Sequence, residues 1–183
     1  MKTLVISGGS SGIGKATASL FAERGWRVFE LSRHGGDEAK VERFEAKDAG
    51  EIIHVFCDVC SEESCHAAIE EVWRQTDHVD VVISNAGYGI SGPIEFSDIP
   101  AAEHQMDVNF MGAVRFTQAV LPQLRQQRRG RIIYTSSVAA ILAVPYQSFY
   151  SASKAAINAF ALALANEVRE FGISVSVMMP GDV

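Results

Sequence analysis

A glycine-rich loop near the N-terminus places the strongest constraint on the fold. It reads Gly8-Gly9-Ser10-Ser11-Gly12-Ile13-Gly14, after the β-branched run Thr3–Ser7 and before an amphipathic helix that closes at Gly25. Glycines let the main chain approach phosphate groups, and the first turn of a helix supplies unpaired N–H groups and partial positive charge. The order strand, glycine loop, helix therefore predicts a phosphate-binding turn for a nucleotide cofactor, formed by Gly8, Ser10, Ser11, Gly12, Ile13 and Gly14.

Strand-like and helical segments alternate along the rest of the chain. Further strands are predicted at 27–32, 51–57, 79–84, 130–135 and 173–179. Helices are predicted over the segment that follows Ser61, over 99–126 with a bend near Pro122, and over 150–171, while 37–50 is predicted to be a polar helix or loop. Such alternation, without repeats or a linker, predicts an α/β fold in one domain, 1–183: a doubly wound, Rossmann-like parallel sheet with strand order 3-2-1-4-5-6.

Polar residues follow several of these strands. Ligands of an open parallel sheet bind beyond the carboxyl ends of its strands. The glycine loop, Arg33, Asp58, Asn85 and Ser137 each come directly after a predicted strand, and Tyr150 opens the helix beyond. We therefore expect one site to contain all of them.

Tyr150 and Lys154 are four residues apart in the predicted helix 150–171, so both side chains should lie on the same face. A neighbouring cation favours the phenolate and brings a tyrosine closer to the pKa at which general acid–base catalysis is efficient. Taken alone, the pair could also be a surface tyrosine and a surface lysine that share a helix face by chance.

The end of the second strand bears on the choice of cofactor. An acid at this position would hydrogen-bond the 2′-hydroxyl of a dinucleotide ribose, but the chain has Ser32 and Arg33 there. A guanidinium suits a 2′-phosphate, which favours NADP(H) and leaves NAD(H) possible. The alternative is a solvated surface arginine.

Charge and hydropathy exclude other classes of function. The net charge is −6 and no basic run is longer than Arg128-Arg129, so no nucleic acid partner is expected. No apolar run approaches the ~18 residues of a membrane span, and the apolar run after Met1 is too short for a signal peptide. No membrane partner and a cytoplasmic location are the expectations.

Three cysteines, Cys57, Cys60 and Cys65, lie close together in the sequence, with His54 and His66 on either side. They lack a second C-x-x-C pair and a histidine at ligand spacing, so reduced cysteines packed as small apolar residues are predicted and no metal site.

The chain resembles the short-chain dehydrogenase/reductase family over nearly all of its length, with the family's motifs in order. Ser7 stands where threonine is usual in the cofactor loop and keeps its hydroxyl. The other matching residues are Asp58 with Val59 after it, Asn85-Ala86-Gly87, Asn109, Ser137, Tyr150, Lys154 and Pro180-Gly181, which leads towards Val183.

The resemblance implies a role for each motif. Asp58 and Val59 would bind the adenine ring, Asn85-Ala86-Gly87 would support the sheet under the cofactor, and Pro180, Gly181 and Val183 would lie beside the nicotinamide. The catalytic residues would be Asn109, Ser137, Tyr150 and Lys154. Lys154 would also hold the ribose of the nicotinamide, and Asn109 would anchor a water. The spacing to Tyr150 selects Ser137 over Ser136.

The implied activity is NADP(H)-dependent hydride transfer to or from a small carbonyl or secondary alcohol substrate. The implied assembly is a homodimer or homotetramer, through the helix of Asn109 and the alanine-rich helix of Tyr150. Family members continue well beyond the Pro-Gly turn, so a chain that lacks the family's substrate loop and last strand is expected. The alternative function is an NADP-binding sensor or scaffold without turnover.

Overall fold

The computed structural model describes residues 1–35, 40–43, 50–142 and 144–181. Within these ranges, five α-helices connect and cover the strands: α1 (Gly12–Glu23), α2 (Glu62–Gln75), α3 (Ile99–Met106), α4 (Gly112–Gln127) and α5 (Ser148–Val168). The strands are β1 (Thr3–Ser7), β2 (Arg27–Ser32), β3 (Lys40–Arg43), β4 (Glu51–Phe56), β5 (Val81–Ser84), β6 (Gly130–Thr135) and β7 (Ile173–Met178).

The strands form one sheet in the order β3-β4-β2-β1-β5-β6-β7. The six strands other than β3 pair in parallel, in the sheet order β4-β2-β1-β5-β6-β7, which confirms the predicted order 3-2-1-4-5-6. The prediction for 37–50 was wrong in part, because β3 lies within it and pairs with β4 in antiparallel fashion at the edge of the sheet. The other residues of that segment, apart from Gly50, lie outside the described ranges.

Two apolar cores lie on opposite faces of the sheet. Leu4 and Ile6 of β1 pack on one face with Ala18 and Ala22 of α1. Val5 points to the other face because successive strand residues alternate sides, and it joins the larger core under α2, α4 and α5. Because helices and apolar side chains cover both faces, the polar loops that follow the parallel strands lie together at the carboxyl ends of the strands.

The predicted helix 99–126 is two α-helices with a π-helical turn, Asp107–Met111, between them. The α4 helix continues through Pro122, and the change from α-helical to π-helical hydrogen bonding lies upstream of it, at Asp107–Met111. Asn109 lies in this turn and is fully buried. None of the described helices is long and apolar enough to cross a membrane.

Candidate active site

A cavity of about 780 Å³ opens at the carboxyl ends of the parallel strands. Most of the residues predicted for the site line it. They lie at the end of β2, on the loops after the parallel strands, and in the first turns of α1 and α5. They are Gly8, Ser10, Ser11, Gly12, Ile13, Ser32, Arg33, Asp58, Val59, Asn85, Ala86, Gly87, Ser137, Tyr150, Lys154, Pro180 and Gly181.

The backbone of the glycine loop packs closely against neighbouring backbone. Gly8 has a φ of 67°, and a Cβ placed there would lie 2.7 Å from the Cα of Ala86. A Cβ on Gly14 would lie 2.2 Å from the carbonyl oxygen of Gly8. Gly14 does not line the cavity, and its close approach to Gly8 shapes the loop. Gly12, by contrast, has open space where a Cβ would project.

The segment Asn85-Ala86-Gly87 supports this loop through hydrogen bonds. The Nδ2 of Asn85 donates to the carbonyl of Gly8 at 3.0 Å, and the main-chain N–H of Asn85 donates to the hydroxyl of Ser7 at 3.1 Å. The N–H of Ala86 reaches the same hydroxyl at 3.3 Å. The hydroxyl of Ser7 thus acts as an acceptor that joins the ends of β1 and β5.

The end of β2 presents one cation to the cavity. Arg33 is exposed, and within the described ranges its guanidinium has no hydrogen bond or ion-pair partner. The hydroxyl of Ser32 donates to Oε2 of Glu30 at 3.3 Å. Glu30 is buried under Gly9 and also contacts Nδ1 of His54 at 2.9 Å, so this acid does not face the cavity beside Arg33.

Asp58 uses one carboxylate oxygen to accept a hydrogen bond from the N–H of Cys60 at 3.0 Å.

The three cysteines are free thiols, and Cys57 and Cys65 are buried. A hydrogen bond with Cys65 and burial raise the pKa of Cys57, which keeps it protonated. These two thiols pack in the core as small apolar residues.

Cys60 has neighbours that the sequence analysis did not identify. Its sulfur and the ligand atoms of His104 and Asp107 all lie within 4.8 Å of one another, and these are metal-ligating residue types. Asp107 is already paired with Arg115 at 2.7 Å. Burial, with a hydrogen bond to Asp107, raises the pKa of Cys60 to about 12. The group is therefore an ion pair with a protonated thiol beside it, and the guanidinium opposes a bound cation.

Ser136 and Ser137 follow β6 but differ in their surroundings. Ser136 is buried, and its hydroxyl donates to the carbonyl oxygen of Lys154 at 3.1 Å. Ser137 is half-buried at the cavity, and its hydroxyl oxygen accepts the N–H of Ala139 at 3.1 Å, which leaves its hydroxyl proton available. The N–H of Val138 donates to the carbonyl of Pro180 at 3.0 Å, which brings the Pro180-Gly181 turn beside Ser137. The predicted Val183 lies outside the described residues.

Tyr150 and Lys154 share one face of α5, as their spacing predicts. The Nζ of Lys154 lies 5.7 Å from the centre of the Tyr150 ring. It donates to the carbonyl oxygen of Thr135 at 2.8 Å, so α5 and the end of β6 exchange two hydrogen bonds in opposite directions. Burial lowers the pKa of Lys154 to about 8. No group in the described ranges hydrogen-bonds the hydroxyl of Tyr150.

Asn109 does not line the cavity. Its side chain binds the main chain of Tyr88 twice, accepting the N–H at 2.9 Å and donating to the carbonyl at 2.8 Å. A further bond from Nδ2 reaches the hydroxyl of Ser153 at 3.0 Å. The side chain of Asn109 is therefore occupied by protein partners.

Two residues of this arrangement were missed from the sequence. Gln105 is fully buried and donates to the carbonyl of Tyr88 at 3.1 Å. Ser153 is also fully buried and donates to the carbonyl of Tyr150 at 2.7 Å. Each occupies a helix position at which a polar residue is usually solvated, so only the tertiary structure identifies them.

The chain matches the model of the short chain dehydrogenase family over residues 2–183. It is 38% identical to a 3-ketodihydrosphingosine reductase of Bacteroides thetaiotaomicron, covering 98% of this chain and 63% of that protein. It is 36% identical to human retinol dehydrogenase 8, covering all of this chain and 59% of that protein. The chain thus spans about three fifths of the length of these curated relatives.

Solved structures with the same architecture hold either type of dinucleotide. An alcohol dehydrogenase from the archaeon Thermococcus sibiricus, complexed with 5-hydroxy-NADP, superposes with a TM-score of 0.87 at 25% identity, covering 100% of this chain and 77% of that one. An NAD⁺-bound xylitol dehydrogenase gives a TM-score of 0.88 at 28% identity, covering 98% of this chain and 70% of that one.

Proposed function

Because this chain belongs to the short-chain dehydrogenase family, we propose that it is an NADP(H)-dependent oxidoreductase that interconverts a carbonyl compound and a secondary alcohol. The observation that carries this proposal is the position of Ser137, Tyr150 and Lys154, which line the same cavity as the glycine loop. The relatives named for retinol dehydrogenase and ketodihydrosphingosine reductase activities support the same reaction class.

The residues of the cavity fit a dinucleotide. Glycines 8 and 12 have positive φ angles, and Gly12 leaves open space at the N-terminus of α1 for a phosphate. Asp58 and Val59 would hold the adenine, Asn85-Ala86-Gly87 would support the loop, and Lys154 would hold the ribose beside the nicotinamide. Pro180, Gly181 and Val183 would flank the nicotinamide itself. When bound, this cofactor supplies or accepts the hydride at C4 of its ring.

The preference for NADP(H) rests on Arg33. Its guanidinium faces the cavity at the end of β2, and the nearest acid along that strand, Glu30, is buried beneath the loop. A charge-assisted hydrogen bond to a 2′-phosphate contributes about 1.5–3 kcal/mol, which corresponds to tenfold or more in affinity.

The protein's own chemistry is proton transfer. In reduction, the Tyr150 hydroxyl gives its proton to the carbonyl oxygen, and in oxidation it takes the proton of the alcohol. The Ser137 hydroxyl donates a hydrogen bond to the same oxygen, where negative charge develops. The ammonium of Lys154 stabilises the negative charge that is left on the oxygen of Tyr150. Asn109 would contribute indirectly, through its hydrogen bonds to Tyr88 and Ser153.

The test is a panel of ketones and secondary alcohols, read by nicotinamide absorbance, with the wild type, Tyr150→Phe and Lys154→Ala. Phenylalanine keeps nearly the same volume, so Tyr150→Phe should lose about 10²–10⁴-fold in rate with cofactor affinity unchanged. The Lys154→Ala variant should lose rate and also bind NADP(H) more weakly.

Two results would contradict the proposal. A Tyr150→Phe enzyme that keeps most of its rate would mean that another group carries the proton. Cofactor binding by the wild type without turnover of any substrate in the panel would favour an NADP-binding protein without enzymatic activity.

We also propose that the protein assembles as a homodimer or homotetramer through α5. Its outward face carries the exposed small residues Ala155, Ala159 and Ala163, which allow a second helix to approach closely. Ala156 and Ala165 are half-buried beside them.

A further inference from the structure

The segment between Ser137 and Tyr150 carries no charged residue: residues 138–149 are apolar apart from a glutamine and a serine. Several of its large side chains are exposed, with Ile141 at 70%, Leu142 at 61% and Tyr146 at 63%. Tyr146 also has a φ of 66°, a strained value for a bulky residue. An apolar surface therefore lies along the chain between the two residues that would contact the reacting oxygen.

The loop after β5 adds to this surface. Ile94 is 62% exposed and Phe96 is 78% exposed. The N–H of Gly92 donates to the carbonyl of Tyr146 at 2.9 Å, which joins this loop to the segment 138–149. We call Ile94, Phe96, Ile141, Leu142 and Tyr146 the apolar rim.

A second cavity of about 210 Å³ lies between the two loops and is lined by Ile94, Phe96 and Tyr146 of the rim. It shares Ile90 and Ser91 with the larger cavity, and its Phe149 precedes Tyr150 in the chain. A substrate with its reacting carbon at Tyr150 could therefore extend directly into this second cavity.

The charges around the rim are one-sided. Residues 87–107 and 137–153 contain no lysine or arginine. The exposed charged side chains of the loop after β5 and of α3 are the carboxylates Glu95, Asp98 and Glu103. Anionic substrates would lack a partner here and would meet like charge, whereas a neutral hydrocarbon would cover exposed apolar area.

We propose that the apolar rim and the cavity it borders bind the hydrocarbon part of a neutral, lipophilic ketone or secondary alcohol. This inference rests on the proposed function of the same site. Three of the five rim residues lie on the segment that joins Ser137 to Tyr150, and the other two border a cavity that shares Ile90 and Ser91 with the larger one. This location favours a substrate over a second copy of the chain as the occupant of the rim.

The first test uses the NADPH-saturated protein and methyl ketones of increasing alkyl length. The specificity constant kcat/KM should rise about two- to fourfold with each added methylene until the rim is covered, since each buried methylene contributes that much to binding. A ketone of the same length that ends in a carboxylate should react more slowly. A flat profile, or a preference for short or anionic ketones, would overturn the inference.

A binding measurement separates this inference from the reaction itself. Titration calorimetry of the same ketones into NADPH-loaded Tyr150→Phe requires no turnover. A Kd that falls with chain length supports the rim even where no ketone is reduced by the wild type, a result that would contradict only the proposed function. A Kd that is independent of chain length overturns the rim.

Variants in the rim locate the effect. Phe96→Ala should lower kcat/KM for long ketones several-fold and leave short ones unchanged, while Leu20→Ala, at an exposed leucine of α1 outside both cavities, should change neither. Ile94→Lys should raise the rate for the carboxylate-ended ketone about two- to fivefold relative to the neutral one, and Leu20→Lys should not. If Phe96→Ala instead lowers the molecular mass in solution and leaves the chain-length profile intact, the rim is a contact between copies and the inference fails.

Discussion

The Nδ2 atom of Asn109 lies 3.0 Å from the hydroxyl oxygen of Ser153, and this buried hydrogen bond joins the π-helical turn to α5. Ser153 passes the connection on by donating to the carbonyl of Tyr150, and Asn109 grips the main chain of Tyr88. The loop after β5 and the start of α5 are thereby fixed relative to each other.

Ser153→Ala should destabilise the fold. It leaves an N–H group of Asn109 buried without a partner, which costs about 1–3 kcal/mol of unfolding free energy. Urea unfolding measures this directly. Ser151→Ala is the matched control on the same helix. The Ser151 hydroxyl is buried and has no hydrogen-bond partner among the described residues, so its removal leaves none of their polar groups unpaired. Equal losses of stability in the two variants would contradict this account of Ser153.

Arg33→Ala should weaken NADP(H) binding tenfold or more and leave NAD(H) binding nearly unchanged, because only the former has a 2′-phosphate. Fluorescence titration of both cofactors provides the measurement. Arg24→Ala, at an exposed arginine that does not line the cavity, serves as the control and should alter neither affinity. Equal wild-type affinities for the two cofactors would refute the assignment.

Cofactor affinity should fall as pH rises through about 8, since burial lowers the pKa of Lys154 to about 8 and its charge is lost above that value. Below pH 7 the Lys154 ammonium is fully charged, so the affinity for the cofactor should not change with pH through this group. Titrations of NADP(H) between pH 7 and 9.5 provide the measurement. Lys154→Arg keeps its charge throughout, so its affinity should stay flat.

The stability of the cofactor-free protein should respond to Lys154 in the opposite direction. A lowered folded pKa means that the unfolded chain binds more protons between pH 8 and the ordinary lysine value, so this group's contribution to stability rises with pH in that window.

The affinity prediction has its own contradicting outcome. A wild-type affinity for NADP(H) that stays constant across the same pH window would show that the charge of Lys154 does not contribute to cofactor binding.

Assembly should depend on the exposed face of α5. Leu162 is 68% exposed on that face among the small residues, and Leu162→Glu places a charge where a second helix would pack. Light scattering should show a fall in mass to that of a monomer. Leu20→Glu makes the same change on α1 and should leave the mass unaltered. A monomeric wild type would refute the assembly.

The sheet was predictable because buried parallel strands are nearly continuous apolar runs, and β5 is an example. The β3 strand gave no such signal, since only Val41 of Lys40–Arg43 is apolar. The π turn was not predictable. Its residue Asn109 hydrogen-bonds Tyr88 and Ser153, which are distant from it in the sequence.

The site was predictable wherever a residue follows a strand, since parallel strands bring their carboxyl ends to one edge. Gly14 is a different case: its backbone packs on Gly8, and spacing alone does not separate such a glycine from one that lines the cavity. Gln105 and Ser153 escaped notice because apolar periodicity says nothing about polar residues buried by hydrogen bonding.

The two opposed hydrogen bonds between α5 and the end of β6 bear on how the site recruits its ligand. A lysine side chain loses about 1.5–2 kcal/mol of rotational freedom when it is fixed in place. Thr135 and Ser136 hold both the ammonium and the main chain of Lys154. This ordering therefore takes place during folding. The proposed dinucleotide would meet a lysine that is already fixed in place, so binding would not have to supply this entropy cost again.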